Sequence, residues 1–158
     1  MSISSLDELL ILEEGERFVP YDDMTGEAVP VGGVCLGTLT AGVGHTGSDV
    51  KPGDYWTRER SRATLAQDRD IALARAAKDL GPGYFRALDP VRQAALASMA
   101  FAMGGKGLAG FHRMLTAVRS DAWQVAHDEC LASDWARMEE PARAKRCALM
   151  LLTGQWPQ

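Results

Sequence analysis

Four acids stand close together near the start of this 158-residue chain: Glu13 and Glu14, then Asp22 and Asp23. Glu14 directly precedes Gly15, a residue type that ends helices, and the two aspartates sit at a turn leading into a β-prone stretch. A carboxyl group at a helix end and another across a turn can face one cleft. Hydrolysis of a glycosidic bond needs such a pair, one acid to protonate the leaving oxygen and one carboxylate to activate water or act as nucleophile. The same residues are common as solvated acids at element ends, and spacing alone leaves both readings open. His45, in Gly42-Val43-Gly44-His45-Thr46, is a further candidate, although a histidine closing a Gly-rich strand is more often structural than catalytic. His112 and His127 are remote from it in sequence, so no metal spacing is formed and no cofactor is implied. No serine lies in a Gly-x-Ser-x-Gly elbow, and Gly42-x-Gly44 lacks the third glycine and the helix of a dinucleotide-binding turn.

The elements that must position these groups are legible in outline. Ser5-Leu6-Asp7-Glu8 has the form of a capping box, and Leu6, Leu9 and Leu10 continue it as an amphipathic helix from about Ser5 to Glu14. From Arg17 to His45, glycines alternate with Val29, Val31, Val34, Leu36, Leu39 and Val43, which predicts a small hairpin-like sheet. The long segment between Asp23 and Thr40 is expected to extend that hairpin, with Thr38–Val43 as one strand. Thr57 opens the longest helical pattern, Arg58 to Leu80, roughly 35 Å long, ended by Gly81-Pro82-Gly83. Asp89-Pro90 starts an apolar helix that runs to Met103 and stops at Gly104-Gly105. Shorter helices are expected over about 108–118, 121–132 and 141–152. The class is α+β: a sheet lobe over about 15–56, a connecting helix over about 57–80, and a helical lobe over 81–158 joined by the first helix, all within one domain, 1–158.

Apolar residues make up 46% of the chain and charged residues 24%, which places it among soluble globular proteins. A net charge of -4 gives no electrostatic drive toward nucleic acid or an anionic membrane. No apolar stretch reaches bilayer length, so no stable membrane insertion is expected. Cys35, Cys130 and Cys147 are widely spaced and read as free thiols. The absence of a charged n-region followed by an apolar h-region suggests synthesis in the cytoplasm.

Taken together, the segments resemble the phage-type lysozymes, the endolysin muramidases. Leu10-Ile11-Leu12-Glu13-Glu14-Gly15 is similar to that family's first-helix end, where the residue before the glycine is the catalytic glutamate. The family's aspartate falls nine residues on, at Asp23 rather than Asp22. Thr40-Ala41-Gly42-Val43-Gly44-His45 is similar to the strand that carries the catalytic threonine. Val50-Lys51-Pro52-Gly53-Asp54 resembles the lead into the long helix. The run from Asp89 to Phe111, Arg143-Ala144-Lys145-Arg146 and Thr153-Gly154-Gln155-Trp156 match the helical lobe. The resemblance covers nearly the whole chain. It departs from the family in the long stretch Met24–Leu39 between Asp23 and Thr40, and in an acidic balance where relatives are often basic.

The resemblance implies a lysozyme-like fold and a glycoside hydrolase that cleaves the β-1,4 bond between N-acetylmuramic acid and N-acetylglucosamine with inversion. It implies Glu14 as general acid, with Asp23 and Thr40 holding the attacking water. It implies that Arg143 pairs with Glu14, and that His45 forms an ion pair with Asp68 on the long helix. Gly44, Met99, Phe101, Met103 and Phe111 are expected to line the cleft or the core behind it. The partners expected are peptidoglycan glycan strands, met as a monomer in the periplasm after passage through a holin-like pore from the host cytoplasm. The competing readings are a lysozyme-fold module recruited for peptidoglycan binding or protein interaction, and a lytic transglycosylase that works with one glutamate.

Overall fold

The computed structural model describes residues 2–158. It divides into two units, Asp7–Asp68 and residues 2–6 with Arg69–Gln158, and the boundary falls inside one continuous helix.

In the first unit, helix α1 (Leu6–Glu14) buries Leu9 and Leu10 completely and is closed by the Gly15 amide, which donates to the Ile11 carbonyl at 2.9 Å. Three antiparallel strands follow in the order β1 (Arg17–Asp22), β2 (Leu39–Gly42) and β3 (His45–Thr46). Tyr21 faces Thr40 and Asp22 faces Leu39, whereas the register slips between Arg17 and Tyr21. Pro20 lies in the slipped stretch, where its missing N–H costs no ladder bond. The carbonyls freed there are used: Phe18 O accepts from Trp56 N at 2.7 Å and Pro20 O from Val29 N at 3.0 Å. Ala41, Val50 and Trp56 form a small buried cluster beneath the sheet, with Leu39 against it.

The stretch between β1 and β2 corrects the expectation of an extended hairpin. It contains no helix, but it contains no second ladder either, only one isolated bridge between Tyr21 and Ala28. Val29 is buried, while Val31, Val34 and Leu36 stand 82%, 79% and 66% exposed, so alternation finds no core to face. Glycine and valine content signals a strand, but a ladder needs a run of partner carbonyls and one buried face, and beyond Val29 this segment buries no valine or leucine.

In the second unit, the C-terminal part of α2 (Arg58–Leu80) buries Ala72, Ala76 and Leu80 at four-residue spacing. Arg119 closes it by donating to the carbonyls of Leu80 (2.7 Å) and Asp79 (3.0 Å). Gly81-Pro82-Gly83 is both a stop and a start, because Pro82 opens a short helix α3 (Pro82–Ala87) that the sequence reading missed. Helix α4 (Pro90–Ala109) is capped by Asp89, whose carboxylate accepts from Arg92 N at 3.0 Å. It is buried from Ala94 through Ala100, as an all-apolar helix must be. The expected stop at Gly104 is a kink (φ 71°, ψ 175°), after which the helix resumes to Ala109, so α5 begins later than expected, at His112 (His112–Arg119). Helices α6 (Trp123–Leu131) and α7 (Pro141–Thr153) pack on each other, α5 packs on α6 and α4 on α7. A π-helical turn, Trp135–Glu139, joins α6 to α7 and buries Trp135. Arg92 ties the start of α4 to the end of α7 through the Leu151 and Leu152 carbonyls. None of the three cysteines forms a disulfide; Cys130 and Cys147 are buried, and burial pushes the Cys130 thiol up to about 12. Among the described residues no helix is long and apolar enough to cross a membrane.

The first unit fixes β3 to the N-terminal half of α2 by a polar clasp. His45 Nδ1 lies 2.6 Å from Asp68 Oδ2, and Nε2 lies 3.0 Å from Asp49 Oδ1. Both ring nitrogens face carboxylates, a geometry that suits imidazolium. Burial alone would lower the His45 pKa, but the hydrogen bonds to Asp49 and Asp68 outweigh it and raise the value above 6.5. Because the folded value is the higher one, this contribution to stability is complete below 6.5 and disappears as pH rises through the folded value. An NMR titration should therefore give His45 a midpoint above that of a model imidazole. The melting temperature should fall across the same interval in the wild type and not in His45→Gln. A midpoint at the ordinary value of a free imidazole would rule out the clasp.

Candidate active site

Glu14 is the last residue of α1, and its half-buried carboxyl lies against the turn between β2 and β3. A Cβ placed on Gly44 would come within 2.8 Å of Glu14 Oε2 and 3.0 Å of its Cδ, and Gly44 holds φ +64°. Only glycine satisfies both demands, so backbone rather than a side chain borders the acid. This contact follows from local structure: Gly15 ends the helix at Glu14, and the tight turn Val43-Gly44 brings β3 back antiparallel to β2.

The two adjacent aspartates, equivalent by sequence pattern, have opposite surroundings. Asp22 ends β1 and is 2% exposed. Its Oδ2 accepts from Leu36 N at 2.6 Å, and its Oδ1 accepts from Met24 N at 2.9 Å and Gly37 N at 3.0 Å. The bond from Leu36, with those from Met24 and Gly37, holds its pKa below the ordinary carboxylate value against the opposing effect of burial. Asp23 is exposed and uses Oδ1 to accept from Thr38 N at 2.6 Å. Its own amide donates to Thr38 O at 3.1 Å.

Thr38 also meets Thr40. The Thr40 hydroxyl, on a residue 4% exposed, donates to Thr38 O at 3.1 Å. One peptide-bonded residue is therefore bound at its N–H by the Asp23 carboxylate and at its carbonyl by both the Asp23 amide and the Thr40 hydroxyl. Asp23 and Thr40 are held in common, sixteen residues of loop notwithstanding.

Tyr21 is a residue that the sequence reading missed. It stands opposite Thr40 in the ladder, which puts the two side chains on one face of the sheet, with Asp22 on the other. The Arg17 guanidinium covers its ring at 3.9 Å from the centroid. Burial raises the phenol pKa, and the charges of Glu14 and Asp23 raise it further while Arg17 opposes them. Both acids thus act on one hydroxyl. The signal available in the sequence was the two-residue period, which carries Tyr21 and Asp23 to the same side.

The remaining expected residues lie in the second unit. Arg143, on α7, is 2% exposed; its Nε donates to Ser98 Oγ at 3.1 Å and its Cζ lies 6.0 Å from the Phe101 ring centroid. Met99 is fully buried and belongs to the core, whereas Phe101, Met103 and Phe111 are half-buried. Phe111 meets Trp135 edge to face at 6.2 Å. That aromatic pair borders a cavity of about 500 Å³ lined also by His112, Arg113, Glu129 and Asp134.

Comparison with known proteins identifies the relatives of this chain. The chain is 32% identical to the pre-baseplate central spike protein of Enterobacteria phage T4, over 95% of its own length but 28% of that protein's. It is 26% identical to a probable T4-type lysozyme of Dictyostelium discoideum, over 96% of each. A shorter match, 35% identical over 44% of the chain, is to the SAR-endolysin of Bacteriophage PS34. The family model described as phage lysozyme matches residues 12–146, a span that begins before Glu14, contains Asp23, Thr40 and Gly44, and ends beyond Arg143. An α+β chain whose acid-bearing helix end, sheet and helices α2 to α6 all fall inside that match belongs to the phage lysozyme family.

Proposed function

We propose that this chain is a muramidase that hydrolyses the β-1,4 bond between N-acetylmuramic acid and N-acetylglucosamine in peptidoglycan. The observation that carries the reading is the division of labour between the two aspartates. Asp22 spends both oxygens on backbone amides. Asp23 is exposed and tied through Thr38 to the Thr40 hydroxyl. A carboxylate oxygen and a hydroxyl held in fixed relation are what a single water needs in order to be oriented and deprotonated as it attacks. Glu14 then delivers its proton to the leaving glycosidic oxygen from the opposite face of the sugar. Attack by water rather than by the carboxylate itself inverts the anomeric centre. Glycan strands in the bacterial cell wall are the partner, and the wall in the periplasm is the place of action. The names carried by the lysozyme and endolysin relatives support this substrate class.

A second reading is favoured by the likeness to the phage T4 spike protein, of which the chain spans 28%. There a lysozyme-like segment is part of a larger protein, so a recruited binding or assembly module is the alternative. Turbidity clearing of permeabilised Gram-negative cells separates the two. Wild-type protein that binds sacculi without clearing them would establish the module.

Two sets of substitutions test the enzyme. Glu14→Gln keeps the shape but removes the transferable proton, worth roughly 10²–10⁴-fold in rate, so clearing should fall by at least that factor with little change in melting temperature. Glu13→Gln, about 100° away around the helix, should clear cells almost as fast as wild type. Equal losses in both would point to a folding defect. Gly44→Ala forces a side chain against the Glu14 carboxyl at a positive φ. It should cost on the order of 1 kcal/mol or more in stability and reduce hydrolysis in the folded fraction as well. Product analysis completes the test: the first product should be the α-anomer with a free reducing end. Anhydro ends would instead identify a transglycosylase.

A further inference from the structure

Asp22 has been described so far only as a carboxylate that is occupied, but its occupants form a path to the reacting groups. The return limb of the loop, from Pro30 to Gly37, presents its apolar side chains to solvent, with Val31, Val34 and Leu36 all strongly exposed. It has no buried face to hold it. What brings it back to the sheet is the Asp22 carboxylate, which draws in Leu36 N at 2.6 Å and Gly37 N at 3.0 Å across fourteen and fifteen residues of chain, and Met24 N at 2.9 Å from the outgoing limb. The residue after Gly37 is Thr38, whose N–H binds the Asp23 carboxylate and whose carbonyl accepts from the Thr40 hydroxyl. Gly37 itself is wedged between the two acids. A Cβ there would sit 2.8 Å from Asp22 Oδ1 and would overlap Asp23 Oδ1 outright.

We infer that Asp22 is a positioning residue: by collecting the amides of Met24, Leu36 and Gly37 it fixes the Thr38 peptide, and through it the relative placement of Asp23 and Thr40. The inference rests on the reading of Asp23 and Thr40 as the pair that holds the attacking water. The requirement is for a carboxylate specifically. Three N–H groups converge on two oxygens, whereas an amide side chain of the same shape offers one oxygen and turns an NH₂ toward a donor. Such a mismatch at a buried site releases the loop rather than being absorbed.

The test uses Asp22→Asn and Gly37→Ala in the full chain, at a temperature well below melting. In Asp22→Asn, hydrogen exchange at the Leu36, Gly37 and Thr38 amides should quicken by roughly tenfold or more, with the α1 and α2 amides unchanged. On soluble glycan fragments, kcat should fall about 10–100-fold, the scale of loss from a small misplacement of reacting groups, while KM stays within about twofold. A purely structural tie would leave kcat per folded molecule intact. Gly37→Ala retains Asp22 but displaces both carboxylates from the opposite side, and it should show the same fall in kcat with KM held. If Asp22→Asn does not fold, Asp22→Glu, which keeps the charge but moves the oxygens off the three amides, is read by the same Thr38 exchange and kcat, and unchanged values there overturn the inference. Unchanged exchange at Thr38 in Asp22→Asn, or full kcat in Gly37→Ala, overturns the inference. A wild-type protein without hydrolysis would sink the muramidase reading instead, and Thr38 exchange would still decide whether Asp22 governs the Asp23–Thr40 geometry.

Discussion

A carboxylate removed from water must recover its lost hydration from hydrogen-bond donors, and which donors it finds determines what else is held in place. At Asp22 the donors are main-chain amides drawn from both limbs of one loop. This converts a local electrostatic need into a long-range constraint, because the amides that satisfy the charge belong to residues fourteen and fifteen positions away. The return limb is thereby ordered without a core of its own, and Val31, Val34 and Leu36 remain in solvent. The end of β1, the start of β2 and the Thr38 peptide between the two acids all depend on that one buried group. The rest of the first unit is secured separately, by the Trp56 cluster under the sheet and by His45 clasped between Asp49 and Asp68.

Much of this was legible in the sequence, and the parts that were not share a cause. Helices α1, α2 and α7 are legible to within a residue or two, because apolar periodicity and end signals such as Gly15 and Thr57 are local. The early stop of α4 failed at Gly104, where a single positive φ bends the helix without ending it. Helix α3 was hidden because Gly81-Pro82-Gly83 serves as terminator and initiator at once. The loop before β2 was misread as a hairpin because glycine and valine report backbone preference, whereas strand pairing depends on which carbonyls and which buried face lie opposite. Glu14, Asp23 and Thr40 were reached through resemblance; the residues alone left Asp22 and Asp23 interchangeable. What separates those two is the identity of their amide partners, a property of tertiary structure that no spacing encodes.

The two readings of function make different demands on this architecture. A module that only binds glycan or protein needs a surface, and side chains of many kinds can provide one. Around Glu14 and Asp23 the chain instead gives up side chains where they would be easiest to place. Gly44 lies at a positive φ so that backbone can approach the Glu14 carboxyl, and Gly37 is bare because any Cβ would collide with both aspartates. Each glycine loses conformational freedom on folding that a larger residue would not. Those costs are spent on the distances between carboxyl groups and the backbone next to them, which matter to proton transfer and water placement far more than to adhesion. The exposed apolar residues of the loop, free of any part in that geometry, are where a binding role would be added, so the enzyme and module readings draw on different atoms of the same segment.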